Sequence, residues 1–316
     1  MTLVQLSDIR AAANAMSRDV IRTPLLAAPW SDRPLWLKAE SLQPIGAFKL
    51  RGASYAVGLL DPAEHPGGVV THSSGNHAQA IAYAARAVGC PAAIVMARTV
   101  NPAKLAATRA LGAEVVLVEP ADRESTALVL AAERNAALVP PYDDVAVIAG
   151  QGTVGLEVVE DLPDVDLVLV PVSGGGLISG VAAAVKALRP DAAVVGVEPE
   201  LAGELAEGFR QGRRVEWPVA KTARTIADGL RVSTVGEHNW AHITALVDDV
   251  VTVSEDAIRA AMRTLALSSR LVAEPSGAVA TAAVLERSAD LPAGRTVAVV
   301  SGGNVDPVLY AEVLRG

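Results

Sequence analysis

AAIVMARTVNPAKLAATRALGAEVVLV, residues 92–118, is the stretch whose reading decides the fold class. It opens on the apolar run Ala92 to Met96, short enough for a buried strand. Asn101-Pro102 then sets a capping side chain ahead of a proline at the first helical position. The Ala-rich pattern runs through Leu111, Gly112 stops it, and a second apolar run, Val115 to Val118, follows at once. Strand, helix and strand in that space make one β-α-β unit.

The same alternation extends in both directions. Val69-Val70, Leu167 to Val172, Val194 to Val197 and Thr296 to Val300 read as further buried strands. A helix beginning near Asn76 ends at Gly89, with Pro91 beyond it. Repeated β-α-β units predict an α/β fold, doubly wound and mostly parallel, with helices on both faces of the sheet. The units from about Val69 to Tyr142 are expected to form a smaller lobe. We therefore expect a small domain over 67–145 and a large one over 1–66 and 146–316. Segment 201–225 is polar and Gly-rich with little apolar periodicity, so a surface excursion is expected there.

The bulk numbers agree and exclude several functions. The chain has 316 residues, 51% hydrophobic but only 3% aromatic, so its core must be built from Ala, Val, Leu and Ile. A formal charge of -8 gives no basic footprint for nucleic acid or an anionic membrane. Cys90 is the one cysteine, which rules out a disulfide framework and a cysteine-based zinc site. It lies at a helix-to-strand turn and reads as a small buried filler. Asp8 and Arg10 break the amino-terminal segment before a signal-peptide apolar stretch can form, and no run is long enough for a membrane span. The expected location is the cytoplasm.

Chemistry concentrates in four loops. Gly46-Ala47-Phe48-Lys49-Leu50-Arg51-Gly52 sets a lysine beside an aromatic ring after an extended Gln43-Pro44 entry. Lysine condenses with carbonyls, and burial against Phe48 and Leu50 would lower its pKa and free the amine. Thr71-His72-Ser73-Ser74-Gly75-Asn76-His77 lies between a strand and a helix, where hydroxyls and free amide N–H groups suit a carboxylate or phosphate. Ser/Asn/Gly clusters are also ordinary caps. Ser173-Gly174-Gly175-Gly176 precedes a helix starting near Leu177, and three glycines imply close approach of the backbone to something, with a phosphate the natural occupant. Ser301-Gly302-Gly303-Asn304 follows the last strand and offers a neutral hydroxyl. On the second glycine run alone a nicotinamide or flavin enzyme competes, because Gly174-x-Gly176-x-x-Ser179 is followed by Glu198 at the end of the next strand. That reading gives no task to Lys49 or to the Ser73 loop.

A Schiff-base lysine, a carboxylate cradle and a phosphate cradle together match the needs of pyridoxal 5'-phosphate holding an amino acid. At these motifs, with Ala149-Gly150-Gln151-Gly152-Thr153 and Glu274-Pro275-Ser276-Gly277, the chain resembles the fold-type II pyridoxal-phosphate enzymes, in particular the serine/threonine dehydratase and serine racemase group. The resemblance covers nearly the whole chain. It implies two open, doubly wound, mostly parallel sheets, one per domain. It also implies that Lys49 binds the cofactor covalently, Phe48 packs beside its ring and Asn76 bonds its phenolic oxygen. Ser173, Gly174, Gly175, Gly176 and Leu177 would hold its phosphate, and Ser301 would face its ring nitrogen. The substrate carboxylate would settle on Ser73, Ser74, Gly75, Asn76 and His77. The implied reaction is β-elimination from L-serine or L-threonine to a 2-oxo acid and ammonia, with Lys49 as general base. Ser74 is implied as a second catalytic group, returning a proton in racemases, or else as a helix cap. Glu198, the Ala202 carbonyl and Glu204 resemble a divalent site for Mg²⁺ or Ca²⁺, with Glu204 where racemases commonly carry Asp. Arg123 stands slightly before the position of a substrate-gating arginine, which Ser125 fills. Relatives are commonly dimers, so a homodimer is expected. The rival readings are a serine racemase, a 3-hydroxyaspartate dehydratase needing an extra cation for its second carboxylate, and a non-catalytic amino-acid or cofactor binder.

Overall fold

The computed structural model describes residues 2–16 and 20–316. Among the described residues ten strands occur: β1 Leu25–Ala27, β2 Leu35–Lys38, β3 Val69–His72, β4 Ala92–Ala97, β5 Glu114–Val118, β6 Ala137–Leu138, β7 Leu167–Pro171, β8 Ala193–Pro199, β9 Asp249–Val253 and β10 Thr296–Val299. They form a six-stranded sheet in the order β1-β2-β10-β7-β8-β9 and a four-stranded sheet in the order β5-β4-β3-β6. Every pairing is parallel except β1 with β2. The α/β architecture with two doubly wound, mostly parallel sheets is therefore present. All five residues of β7 and all four of β10 are buried, because helices cover both faces of the large sheet. No helix among the described residues is long and apolar enough to cross a membrane.

The β-α-β unit over residues 92–118 folds as its punctuation dictates. Asn101 accepts the Ala103 N–H at 2.8 Å, Pro102 begins the helix Pro102–Ala110, and Gly112 leaves it at φ 92°. Gly89 closes the helix Asn76–Val88 in the same left-handed conformation, φ 69°. All four strands of the smaller sheet lie within 67–145, and on that ground we propose this range as the small domain.

Segment 201–225 corrects the expectation of a surface excursion. It holds the helix Glu204–Gln211, whose Leu205 and Ala206 are buried in the large core. Two turns of helix present too few apolar residues for a period to register in the sequence. Cys90 is half-buried and donates to the Pro91 carbonyl at 3.4 Å, so it is less enclosed than a core filler.

Three helices touch backbone to backbone at their closest crossings. A Cβ on Gly150, in the helix Val145–Asp161, would sit 2.6 Å from Gly52 Cα in the helix Lys49–Gly58. A Cβ on Gly180, in the helix Gly176–Leu188, would run into the Ile148 carbonyl and, at 2.5 Å, the Gly152 nitrogen. The central helix thus fixes the other two by direct backbone contact. Arg51 adds a second anchor. Fully buried, its guanidinium donates to Glu40 at 2.8 Å and to Glu157 at 2.7 Å, while the equally buried Lys38 donates to Glu157 at 2.6 Å. Two cations and two carboxylates neutralise one another out of water, so each depends on its partners.

Candidate active site

Lys49 is the first residue of its helix, and the loop before it is stitched to the loop after β10. Phe48 N donates to the Ser301 carbonyl at 3.0 Å, and Gly303 N donates to the Gly46 carbonyl at 2.8 Å. Gly46 takes φ 74°, and a Cβ there would press on Asn304 Oδ1 at 2.6 Å. The amine of Lys49 is thereby aimed into a cavity of about 340 Å³. It donates to the Pro141 carbonyl and lies 5.2 Å from the centroid of the Phe48 ring. Burial pulls its pKa down to about 8, in the direction expected from the sequence.

Two helix amino termini open on the same cavity, and neither is capped by a side chain. The first is Gly175–Gly176, after β7. Its glycines are demanded by protein neighbours, where the sequence reading expected a ligand: a Cβ on Gly174 would collide with the Tyr142 ring, and one on Gly175 would meet Asn239 Cβ at 2.8 Å. Asn239 holds this loop by donating to the Gly174 carbonyl at 2.7 Å and the Tyr142 carbonyl at 3.2 Å. Asp143 in turn accepts the Glu237 and His238 N–H groups, both at 2.9 Å, at the start of the helix carrying Asn239. So braced, the first-turn N–H groups from Gly176 and Leu177 onward have no partner within their own helix and suit an anion.

The second terminus is Gly75–Asn76, after β3. Ser74 does not cap this helix; its Oγ accepts the Ala97 N–H at 3.2 Å, which leaves its own hydrogen free for the cavity. Ser73 Oγ accepts the Gly75 N–H at 3.3 Å. His77 is turned away, with Nε2 donating to the Val139 carbonyl at 3.2 Å, and burial pushes its pKa down to about 3, so the ring is neutral. Within this loop His77 has only its backbone N–H to offer. Ser301 is buried at the cavity floor, its hydroxyl 3.5 Å from the Ser276 carbonyl, a long bond that a better acceptor would displace.

Several cavity residues were missed by sequence reasoning. Tyr142, Asp228 and Arg231 line the wall, and Lys104 pairs with Asp228 at 2.5 Å. Glu274, which the sequence placed in a motif without a role, is also there: buried, it accepts from Asn76 Nδ2 at 2.6 Å, and burial together with the charge of Asp228 raises its pKa to about 7. Pro140-Pro141-Tyr142-Asp143, directly after a strand, was a turn signal that could have directed attention to the first of these. Arg123 lines the cavity, with Nε donating to the Pro120 carbonyl at 3.2 Å, whereas Ser125 does not.

The acidic turn lies apart from this cavity. Glu198 accepts the Leu205 and Ala206 N–H groups at 3.3 and 2.8 Å, so its carboxylate faces that helix and not the glycine loop, which removes it from a dinucleotide role. Both oxygens of Glu204 are buried without a partner among the described residues. Burial raises both carboxyls, Glu204 to about 8, and Glu204 reinforces the shift of Glu198. Among the described residues no three His, Cys, Asp or Glu side chains gather as for a metal, so a site here rests on two carboxylates and the Ala202 carbonyl.

An amine with a depressed pKa and two uncapped helix starts facing one cavity fit an aldehyde cofactor with an anionic tail plus an anionic substrate. The comparisons with known proteins agree. The family described as pyridoxal-phosphate dependent enzyme matches residues 16–302. The chain is similar to the L-threo-3-hydroxyaspartate ammonia-lyase of Saccharomyces cerevisiae, 39% identical over 98% of this chain and 96% of that one. It is similar to the L-threonine ammonia-lyase of Thermotoga maritima, 41% identical over 96% of this chain and 76% of that one. Among solved structures it resembles maize serine racemase, at 36% identity and a TM-score of 0.93 over 99% of this chain and 98% of that one.

Proposed function

This chain belongs to the pyridoxal-phosphate-dependent enzyme family, and from that premise we propose that it is an ammonia-lyase converting L-serine or L-threonine to a 2-oxo acid and ammonia. The observation that carries the reading is the convergence of the Lys49 amine with two uncapped helix amino termini on one cavity. Lys49 would hold the cofactor, with Phe48 beside its ring. The N–H groups of Ser173 to Leu177 would hold its phosphate, Asn76 its phenolic oxygen, and Ser301 its ring nitrogen. Once bound, pyridoxal phosphate supplies a carbonyl for the substrate's nitrogen and a ring that spreads negative charge from the α-carbon.

The Ser73–His77 loop binds the substrate carboxylate through backbone N–H groups and the serine hydroxyls. Lys49, freed when the substrate's nitrogen takes its place and with its pKa near 8, is partly neutral at physiological pH and would take the α-proton. The β-hydroxyl leaves as water; a water oxygen later replaces the nitrogen, giving the 2-oxo acid and ammonium. Ser301 offers the ring nitrogen a neutral hydroxyl. That donor does not favour a protonated ring, which suits prompt loss of a β-leaving group over a long-lived carbanion.

Two cavity features support further activities. The free hydroxyl of Ser74 is a candidate acid for returning a proton to the α-carbon, which would give serine racemisation beside elimination. Arg123 at the cavity wall offers the extra cation that a 3-hydroxyaspartate substrate requires. The unpartnered Glu204 oxygens beside Glu198 fit a hard cation such as Mg²⁺ or Ca²⁺, and we propose that turn as a structural metal site. The experiment is a panel of L- and D-serine, L-threonine and L-threo-3-hydroxyaspartate with the cofactor-loaded protein, scoring 2-oxo acid and enantiomer. Absence of 2-oxo acid from every substrate would overturn the lyase reading.

A further inference from the structure

We propose that Asn304 and Glu274 are positioning residues that lock the Asn76 side chain with its amide nitrogen toward the cavity. The Ile45 carbonyl only accepts, so the side-chain nitrogen of Asn304, 2.8 Å away, must face it. The same nitrogen, 2.8 Å from the Asn76 side chain, points its second hydrogen there, so Asn76 must turn its oxygen to Asn304. That leaves the Asn76 nitrogen on the other side, 2.6 Å from Glu274 Oε1, again an acceptor. A backbone carbonyl at one end and a carboxyl oxygen at the other fix the direction of the whole chain. Asn76 Nδ2 carries two hydrogens; Glu274 takes one, and the other is left for the cavity, which both residues line.

The chain also joins three separate loops: the one before Lys49 through Ile45, the one after β3 through Asn76, and the one after β10 through Asn304. Gly46 and Gly302 leave it room, since a Cβ on Gly302 would collide with Glu274 Oε1 and lie 3.3 Å from Asn76 Nδ2. Facing Glu274 are Asn76, Asp228, whose charge raises its pKa, and Lys104, whose charge lowers it. Either protonation state keeps an oxygen able to accept from Asn76. A flipped Asn76 would turn its carbonyl toward Glu274 and the cavity. It would then meet the electron-rich phenolic oxygen of the cofactor with another acceptor.

This inference rests on reading the Lys49 cavity as the pyridoxal-phosphate site. The test uses the full chain stripped of cofactor and titrated with pyridoxal phosphate. The readouts are the dissociation constant and the pH midpoint of the bound cofactor's visible absorption, with melting temperature as a check on folding. Asn304→Ala should weaken binding roughly ten- to a hundredfold and move the midpoint up by about one unit, because a donor that favours the anionic phenolic oxygen is lost. Glu274→Leu should do the same from the other end, which keeps the test open should Asn304→Ala fail to fold. Glu274→Gln keeps an accepting oxygen and should stay close to wild type. A merely structural role predicts lower melting with no movement of the midpoint. Asn304→Ala with wild-type affinity and midpoint, or Glu274→Gln as impaired as Glu274→Leu, overturns the proposal. Wild-type protein that takes up no cofactor fails the functional reading instead.

Discussion

Arg51→Met removes the centre of the buried ionic cluster while keeping most of the side chain's volume. In the intact protein the Glu40 carboxyl, fully buried, is pushed upward by burial but pulled below the ordinary carboxylate range by the charge and hydrogen bonds of Arg51. Pairing of this kind stabilises above the unfolded carboxyl pKa and is lost as pH falls through the folded one. Without Arg51, Glu40 keeps only the Thr23 hydroxyl and the Gln43 amide, the latter at 3.2 Å, while Glu157 keeps Lys38. One uncompensated buried carboxylate costs about 3–5 kcal/mol. With an unfolding entropy of roughly 0.7 kcal/mol per kelvin for 316 residues, that predicts a fall in Tm of about 4–7 °C. The sign of the pH dependence is the sharper test. In the variant the charge of Lys38 and the Thr23 hydroxyl still pull Glu40 down, but burial, the largest influence, outweighs them, so its folded pKa moves above the unfolded value and the penalty grows as pH rises. The gap to wild type should widen between pH 5 and pH 8 by up to about 1.4 kcal/mol per unit. Calorimetry at both pH values decides it. A Tm within 2 °C of wild type, or a gap that narrows with pH, refutes the reasoning.

Four further outcomes are expected. Cofactor uptake by the stripped protein, followed by absorbance, should accelerate from pH 7 and level off soon after pH 8, as the Lys49 amine deprotonates; a rise continuing to pH 10 would show an ordinary lysine. Gly174→Ala should displace the Tyr142 ring and weaken pyridoxal-phosphate binding by about tenfold or more, measured by titration, since its new methyl has no room. Ser74→Ala should abolish racemisation of serine while elimination from L-serine stays measurable; equal retention of both activities removes the proposed role of that hydroxyl. Wild type should gain thermal stability on addition of Mg²⁺ or Ca²⁺, and Glu204→Gln should lose that response; unchanged melting of wild type after exhaustive chelation speaks against the metal site.

The buried strands and the loops after them were legible because each is a local pattern. An apolar run, then Ser, Gly and Asn, then a capped helix can be read within twenty residues, as at Val69–Asn76 and Leu167–Leu177. The edge strands β1 and β6, of three and two residues, are too short to leave a period. The braces of the site were illegible for another reason: Tyr142 and Asn239 reach the Ser173 loop from far along the chain, and only the fold brings them together. Pairings such as Arg51 with Glu157 leave no mark on local composition. Glu274 stood in a motif that was noticed, but its bond to Asn76 spans 198 positions, so its place in the cavity emerged only in three dimensions. The helix Glu204–Gln211 hid inside a polar, Gly-rich stretch because just two turns of it needed to be apolar.

The bare backbone contact between Gly150 and Gly52 works as a spacer of zero thickness. Nothing in it can be compressed, and any side chain added there would push the Lys49 helix outward as a whole. The anchoring half of the cavity therefore has a single permitted width. Room for a longer or more acidic substrate has to come from the opposite rim, where Lys104 and Arg123 project from the smaller sheet's helices and can be exchanged without moving the amine.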